Sequence, residues 1–107
     1  MEILIKNIKF TRGNSYGLQL ELNTTIGEIK NVKFCVKDSV DNIKIEKKLN
    51  DGITLEDKFL TLRLIPNDTK NLIENTEYKY EMKIDYGTDD IVSIVKGAFI
   101  VDWSIID

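Results

Sequence analysis

With 107 residues, 42% of them hydrophobic and 31% charged, the chain has the make-up of one folded domain of ordinary size and not of a disordered segment. A net charge of −3, with lysines scattered among acids, excludes the basic stripe that a nucleic-acid binder needs. The absence of histidine removes the usual general base and the usual transition-metal ligand, and the single Cys35 has no partner for an intrachain disulfide.

Taken in order, Ile3 and Ile5 fall on one parity, and Ile8 and Phe10 on the other. A bulge near Lys6-Asn7, or a strand that switches sheets, is expected between them. Arg12-Gly13-Asn14 is a turn signal. Tyr16, Leu18, Leu20 and Leu22 alternate with Ser15, Gly17, Gln19 and Glu21, the mark of a strand with one buried face. After the loop Asn23-Thr24-Thr25-Ile26-Gly27, Val32, Phe34 and Val36 form the inward face of the next strand. Asp38-Ser39-Val40-Asp41-Asn42 is a polar turn. Ile43, Ile45 and Leu49 mark a shorter strand whose Glu46-Lys47-Lys48 suits an edge, where lysine discourages stray pairing. Asn50-Asp51-Gly52 turns the chain into Ile53 and Leu55.

Leu60, Leu62 and Leu64 alternate with Thr61 and Arg63 until Pro66, which has no backbone N–H, ends the ladder. Asn67 or Asp68 is placed to cap one turn of helix that buries Leu72. Tyr78, Tyr80, Met82, Ile84 and Tyr86 then share one face of a new strand. An inward strand, a corner with one helical turn and a tyrosine soon after re-entry is how immunoglobulin-like sandwiches pass from strand E to strand F, and Tyr78 is the expected corner tyrosine. A hairpin at Gly87-Thr88-Asp89-Asp90 leads to a last strand in which Val92 and Ile94 differ in parity from Phe99 and Val101, so a bulge is expected at Lys96-Gly97. About seven strands at this turn spacing predict an all-β, antiparallel immunoglobulin-like sandwich, one domain over residues 1–107. No apolar run reaches membrane-spanning length. Met1-Glu2-Ile3-Leu4-Ile5-Lys6 is too short and too early-charged for a signal peptide, so neither secretion nor a membrane partner is expected.

Few residues invite chemistry. Cys35 is bracketed by Lys33 and Lys37, which would lower its pKa, but no histidine is present to complete a nucleophilic pair. Asp38, Asp41 and Asn42, or Asp89 and Asp90, offer oxygens in the manner of calcium ligands, yet lack EF-hand spacing and have local reasons to sit in turns. Neither metal nor cofactor is expected. Tyr16, Tyr78, Tyr80, Tyr86 and Trp103 would make a sugar-stacking platform if exposed, but the tyrosines share parity with the core. The run Phe99-Ile100-Val101-Asp102-Trp103-Ser104-Ile105-Ile106-Asp107 carries its alternation further than a compact sandwich needs. Two readings stay open: a last strand covered by Ile3-Leu4-Ile5, or a partner-binding edge with Trp103, Ile105, Ile106 and Ile100 as contacts and Trp103 as anchor.

Several motifs in order resemble the immunoglobulin-like modules of tail and baseplate proteins in phages of Gram-positive hosts, including the N-terminal domain of upper baseplate proteins. They are Phe10-Thr11-Arg12-Gly13-Asn14-Ser15; Val32-Lys33-Phe34-Cys35-Val36-Lys37-Asp38 after Gly27; Lys47-Lys48-Leu49-Asn50-Asp51-Gly52-Ile53; Pro66-Asn67-Asp68-Thr69-Lys70-Asn71-Leu72; Tyr78-Lys79-Tyr80-Glu81-Met82-Lys83-Ile84; and Gly97-Ala98-Phe99-Ile100-Val101. The resemblance spans residues 8 to 102. Family members usually continue into further domains, so this chain is expected to be either a stand-alone small virion protein or a fragment. The resemblance implies a non-enzymatic virion structural protein, made in the bacterial host cytoplasm and assembling with other virion proteins or with itself. A capsid decoration or head-fibre protein, and a carbohydrate-binding module for the host cell wall, are the alternatives.

Overall fold

A computed structural model describes residues 4–22, 29–87 and 91–103. In chain order they form β1 (Leu4–Ile5), β2 (Ile8–Thr11), β3 (Tyr16–Glu21), β4 (Asn31–Lys37), β5 (Ile43–Leu49), β6 (Gly52–Glu56), β7 (Phe59–Leu64), the helical turn α1 (Pro66–Thr69), β8 (Glu77–Asp85) and β9 (Ile91–Asp102). Hydrogen-bonded neighbours run β1-β9-β8-β4-β5-β6-β7-β3, with β2 also beside β9. The β5–β6 link is only Lys48 with Gly52 and Leu49 with Ile53, across the turn that carries the chain from one layer to the other. Asn50 and Gly52 take positive φ there, 68° and 92°, which favours Gly at the second position.

Two layers result, β3-β7-β6 and β5-β4-β8-β9. These are the B-E-D and C′-C-F-G orders of an immunoglobulin domain. The inward residues come from the period-two faces: Val32, Phe34 and Val36 on β4, Leu60, Leu62 and Leu64 on β7, and Tyr78, Tyr80, Met82 and Ile84 on β8 are all buried in one cluster. Phe99 is fully buried at its centre, with ring centroids 5.5 Å from Phe10, 6.4 Å from Phe34 and 6.3 Å from Tyr80. Edge-on and tilted contacts of this kind suit the aromatic quadrupole.

The corner forms as its residues require. Pro66 opens α1, Asp68 Oδ2 accepts a hydrogen bond from the Ile65 N–H at 2.8 Å, and Leu72 is buried. Asp68 therefore caps from inside the turn, and Ile65 holds the cap position. Its other carboxylate oxygen lies 2.9 Å from Lys47 Nζ, tying the corner to β5. The Ile73 N–H donates to the Tyr78 hydroxyl at 2.9 Å, the corner bond expected of that tyrosine. Thr69 is completely buried, and its Oγ1 has no hydrogen-bond partner. A buried unpaired hydroxyl is unfavourable, so Thr69→Val should raise stability by about 1 kcal/mol, read as a higher midpoint in thermal denaturation. A lowered midpoint would mean that the hydroxyl is bonded in solution.

Four expectations are corrected. The sandwich is not wholly antiparallel: β1 and β2 pair with β9 in parallel, Leu4 with Val95 and Ile8 with Phe99. Both pairings share one offset, so no extra residue is inserted at Lys6-Asn7; the strand is interrupted there and resumes in step. The bulge of β9 falls at Ile94 and not at Lys96-Gly97, because Met82 faces Val95 while Lys83 faces Ser93. Ile94 and Val95 can then both point inward. Ile43 is 55% exposed, since a register shift between Val36 and Lys37 turns it away from the core.

Gly97 serves a different purpose from the expected bulge. A Cβ there would stand 2.1 Å from the Lys6 carbonyl oxygen. That oxygen accepts a hydrogen bond from the Tyr80 hydroxyl at 2.5 Å, and Asn7 Oδ1 accepts one from the Ala98 N–H at 3.1 Å. Burial first, and the neighbouring Tyr16 second, push the Tyr80 hydroxyl up to about 12 from 10.0. The folded state therefore keeps a proton that the unfolded state has lost. The Tyr80 contribution is fully present below pH 10 and is lost as pH rises through about 12. Urea titrations between those values should show wild type losing stability faster than Tyr80→Phe; parallel curves would rule this out.

Candidate functional site

The outward face of β5-β4-β8-β9 is hollowed to about 900 Å³. Pairing across the strands sets its chemistry. Cys35 lies between Glu46 on β5 and Glu81 on β8, and Glu81 in turn faces Lys96. Lys33 faces Lys83, and Lys37 faces Lys79. Glu81 accepts a hydrogen bond from Ser93 Oγ at 2.7 Å, and Lys79 Nζ is 2.7 Å from Asp41. Exposed Ile5, Ile43 and Ile91 rim the hollow.

This arrangement does not activate the thiol. Burial pushes the Cys35 pKa up; Lys37 opposes the shift, while Glu46 and Glu81 reinforce it. The lowered pKa that the flanking lysines suggested is corrected: burial outweighs Lys37, and carboxylates from other strands add to it. Cys35 is thus a protonated thiol on a sheet face, flanked by two carboxylates that disfavour its thiolate.

The aspartates considered for calcium have other occupations. Asp38 Oδ1 accepts from the N–H groups of Asn42 and Val40 at 2.9 and 3.0 Å, closing the turn before β5. The Asn42 N–H bond, the largest influence, holds its carboxyl below the ordinary range; burial opposes it and the Val40 bond adds to it. Asp41 is lowered chiefly by its hydrogen bond to Lys79. Asp89 and Asp90 lie outside the described residues. Among the described residues, no group of three His, Cys, Asp or Glu side chains is placed to hold a metal ion.

Of the aromatic platform, Tyr78 and Tyr80 are buried, Tyr16 and Tyr86 half-buried, and Trp103 is 58% exposed. The platform is not assembled, because the tyrosines follow the inward parity. The partner-binding candidates separate in the same way. Ile100 is half-buried between Glu77 of β8 and Lys9 of β2. Phe99 and Ile100 have a strand on each side, and β2 alone runs on beside Val101 and Asp102; β1 and β2 thus cover the outer side of β9. Trp103 lies just past the last pairing, Thr11 with Asp102, and stays in solvent. Ile105 and Ile106 lie outside the described residues.

Strand order, corner tyrosine and helical turn together define an immunoglobulin-like β-sandwich. The inter-sheet disulfide of antibody domains is absent, and Tyr80 stands two residues after the corner tyrosine, where the second cysteine of such a domain would be. Phe34, 5.7 Å from the Tyr80 ring, packs against it. No family model and no curated protein matches the sequence. Among solved structures, the chain is similar to the extracellular domain of a voltage-gated sodium channel beta4 subunit, described as a parallel homodimer with a role in cell–cell adhesion. Identity is 15%, coverage is 96% of this chain and 91% of that one, and the TM-score is 0.49.

Proposed function

We propose that the chain is a non-enzymatic structural module of a phage virion, in the tail or baseplate, that works by burying surface against other copies or another virion protein. The observation that supports this reading is the ordered set of motifs that resemble those of phage tail and baseplate modules. Three of the motifs lie at junctions of the sandwich, and the other three lie in β4, β8 and β9. Arg12 of the Arg-Gly-Asn turn pairs with Glu74 after the corner at 2.8 Å, and its backbone N–H donates to the Asp102 carbonyl. The Lys-Lys-Leu-Asn-Asp-Gly-Ile motif makes the crossing from β5 to β6, and the Pro66 motif makes the corner.

Antibody labelling of purified virions in the electron microscope is expected to mark the tail end. Label on the head shell would favour a decoration or head-fibre protein instead. Absence of the chain from purified particles would sink the virion reading altogether. Exposed Trp103 is the proposed anchor, since aromatic residues dominate interface energetics. Trp103→Ala should leave unfolding free energy within about 0.5 kcal/mol of wild type while reducing incorporation into particles. A variant that assembles normally would remove Trp103 from the interface.

A further inference from the structure

The sheet edges are guarded unequally. β5 carries Lys44, Lys47 and Lys48 and a register shift against β4. The first strand is broken between β1 and β2. Charges, bulges and short strands are the usual protection of an edge. β3 has neither bulge nor break, and its one charge, Glu21, stands at its last position. Among the described residues it pairs with β7 alone, over all six of its residues and without a register shift. From Gly13 to Leu20 the sequence has neither a charge nor a proline. Gly17 is not demanded by its backbone, because a Cβ there would meet nothing closer than the Leu62 carbonyl oxygen at 3.9 Å. A bare glycine on an edge leaves room for a second backbone to approach.

We propose that two copies of this chain pair through β3, edge to edge and antiparallel, about a two-fold axis at Leu18. This rests on reading the chain as an assembly module and names its self-contact. The register follows from the period of two. Inward residues must meet inward residues, so Tyr16 faces Leu20 of the partner subunit and Gly17 faces the partner's Gln19. Tyr16 and Leu20, both half-buried in the single chain, cover each other in the pair. Exposed Gly17 and Gln19 bring no charge to the join. The contact is isologous and closes at two copies, and backbone hydrogen bonds merge β6-β7-β3 with its counterpart into one sheet. A foreign strand could use the same edge, but the matched parity and the uncharged run over residues 16–20 fit its own copy without further requirement.

Sedimentation velocity of the purified full chain over a wide concentration range tests this. Wild type is expected to dimerise. Gly17→Lys with Gln19→Lys places like charges opposite one another twice, and should weaken the dimer by roughly tenfold or more. Gly17→Glu with Gln19→Glu should do the same, and mixing the two variants should restore pairing as a heterodimer. Arg63 stands opposite Gly17 on β7, so thermal melts must accompany both variants; if the lysine pair perturbs the fold, the glutamate pair still reports. A wild type that stays monomeric throughout, or folded variants that dimerise as wild type does, would overturn the proposal. So would a mixture of folded variants that does not recover. A monomeric wild type would leave the virion reading untouched, whereas absence from particles would sink that reading and leave the dimer standing.

Discussion

Gly97→Ala is expected to destabilise the domain by about 3 kcal/mol or more, above the usual range for a single added methyl. The reason is what the methyl would meet. It would lie 2.1 Å from the Lys6 carbonyl oxygen and 2.7 Å from its carbon, and both are backbone atoms that no rotamer change can move aside. Either the Lys6-Asn7 segment lifts off β9, breaking the bonds donated by the Tyr80 hydroxyl and the Ala98 N–H, or β9 shifts against β8. Urea denaturation would give the magnitude, and amide exchange would show where it falls, with loss of protection concentrated at Lys6 and Ala98. An alanine variant with wild-type stability would mean that the first strand does not cross β9 at this point.

Phe99→Ala should cost about 3–5 kcal/mol, the usual figure for emptying an aromatic site in a packed core. A domain of this kind has a total stability of only about 5–15 kcal/mol, so the variant will be marginal or unfolded at room temperature. Phe99 is fully buried, and Phe10, Phe34 and Tyr80 surround it on three strands. Collapse into the hole would need all three to move together. Phe99→Leu keeps most of the volume and should remain folded, which allows the loss to be measured if the alanine variant cannot be purified. The contrast with Trp103, four residues on and in solvent, is the sharp part: near-equal effects at the two positions would mean that the end of β9 is placed wrongly.

The layers were legible because period-two burial is a local signal. Val32, Phe34 and Val36, or Leu60, Leu62 and Leu64, declare an inward face without reference to anything else in the chain. The corner was legible because Pro66 must end a ladder and Tyr78 follows it at the right distance. The other features depend on which strands become neighbours. The parallel seating of β1 and β2 beside β9 is such a choice, and so is the company of Cys35. Lys33 and Lys37 share its face by sequence, but Glu46 and Glu81 arrive only through register. The doublet Ile94-Val95 fits a bulge as well as Lys96-Gly97 does, and only the approach of Lys6 reserves Gly97 for another use. Trp103 keeps the parity of Phe99 and Val101 yet stays outside, because pairing ends at Asp102 and inward parity buries nothing beyond the last ladder bond. The exposed edge of β3 had a visible sign in its uncharged run, but an uncharged run becomes an open edge only when the first strand seats elsewhere.

That seating has a mechanical consequence. Because β2 and β9 run side by side in the same direction, the chain enters this pair at one pole of the domain and leaves it at the other. Tension applied along the polypeptide would drag the two strands past each other lengthwise. The rungs from Ile8–Phe99 to Thr11–Asp102 would then share the load together and would not open one at a time. A module built this way transmits a pull in line and resists it by sliding friction between two ribbons, an arrangement far stiffer than a hairpin peeled from its end.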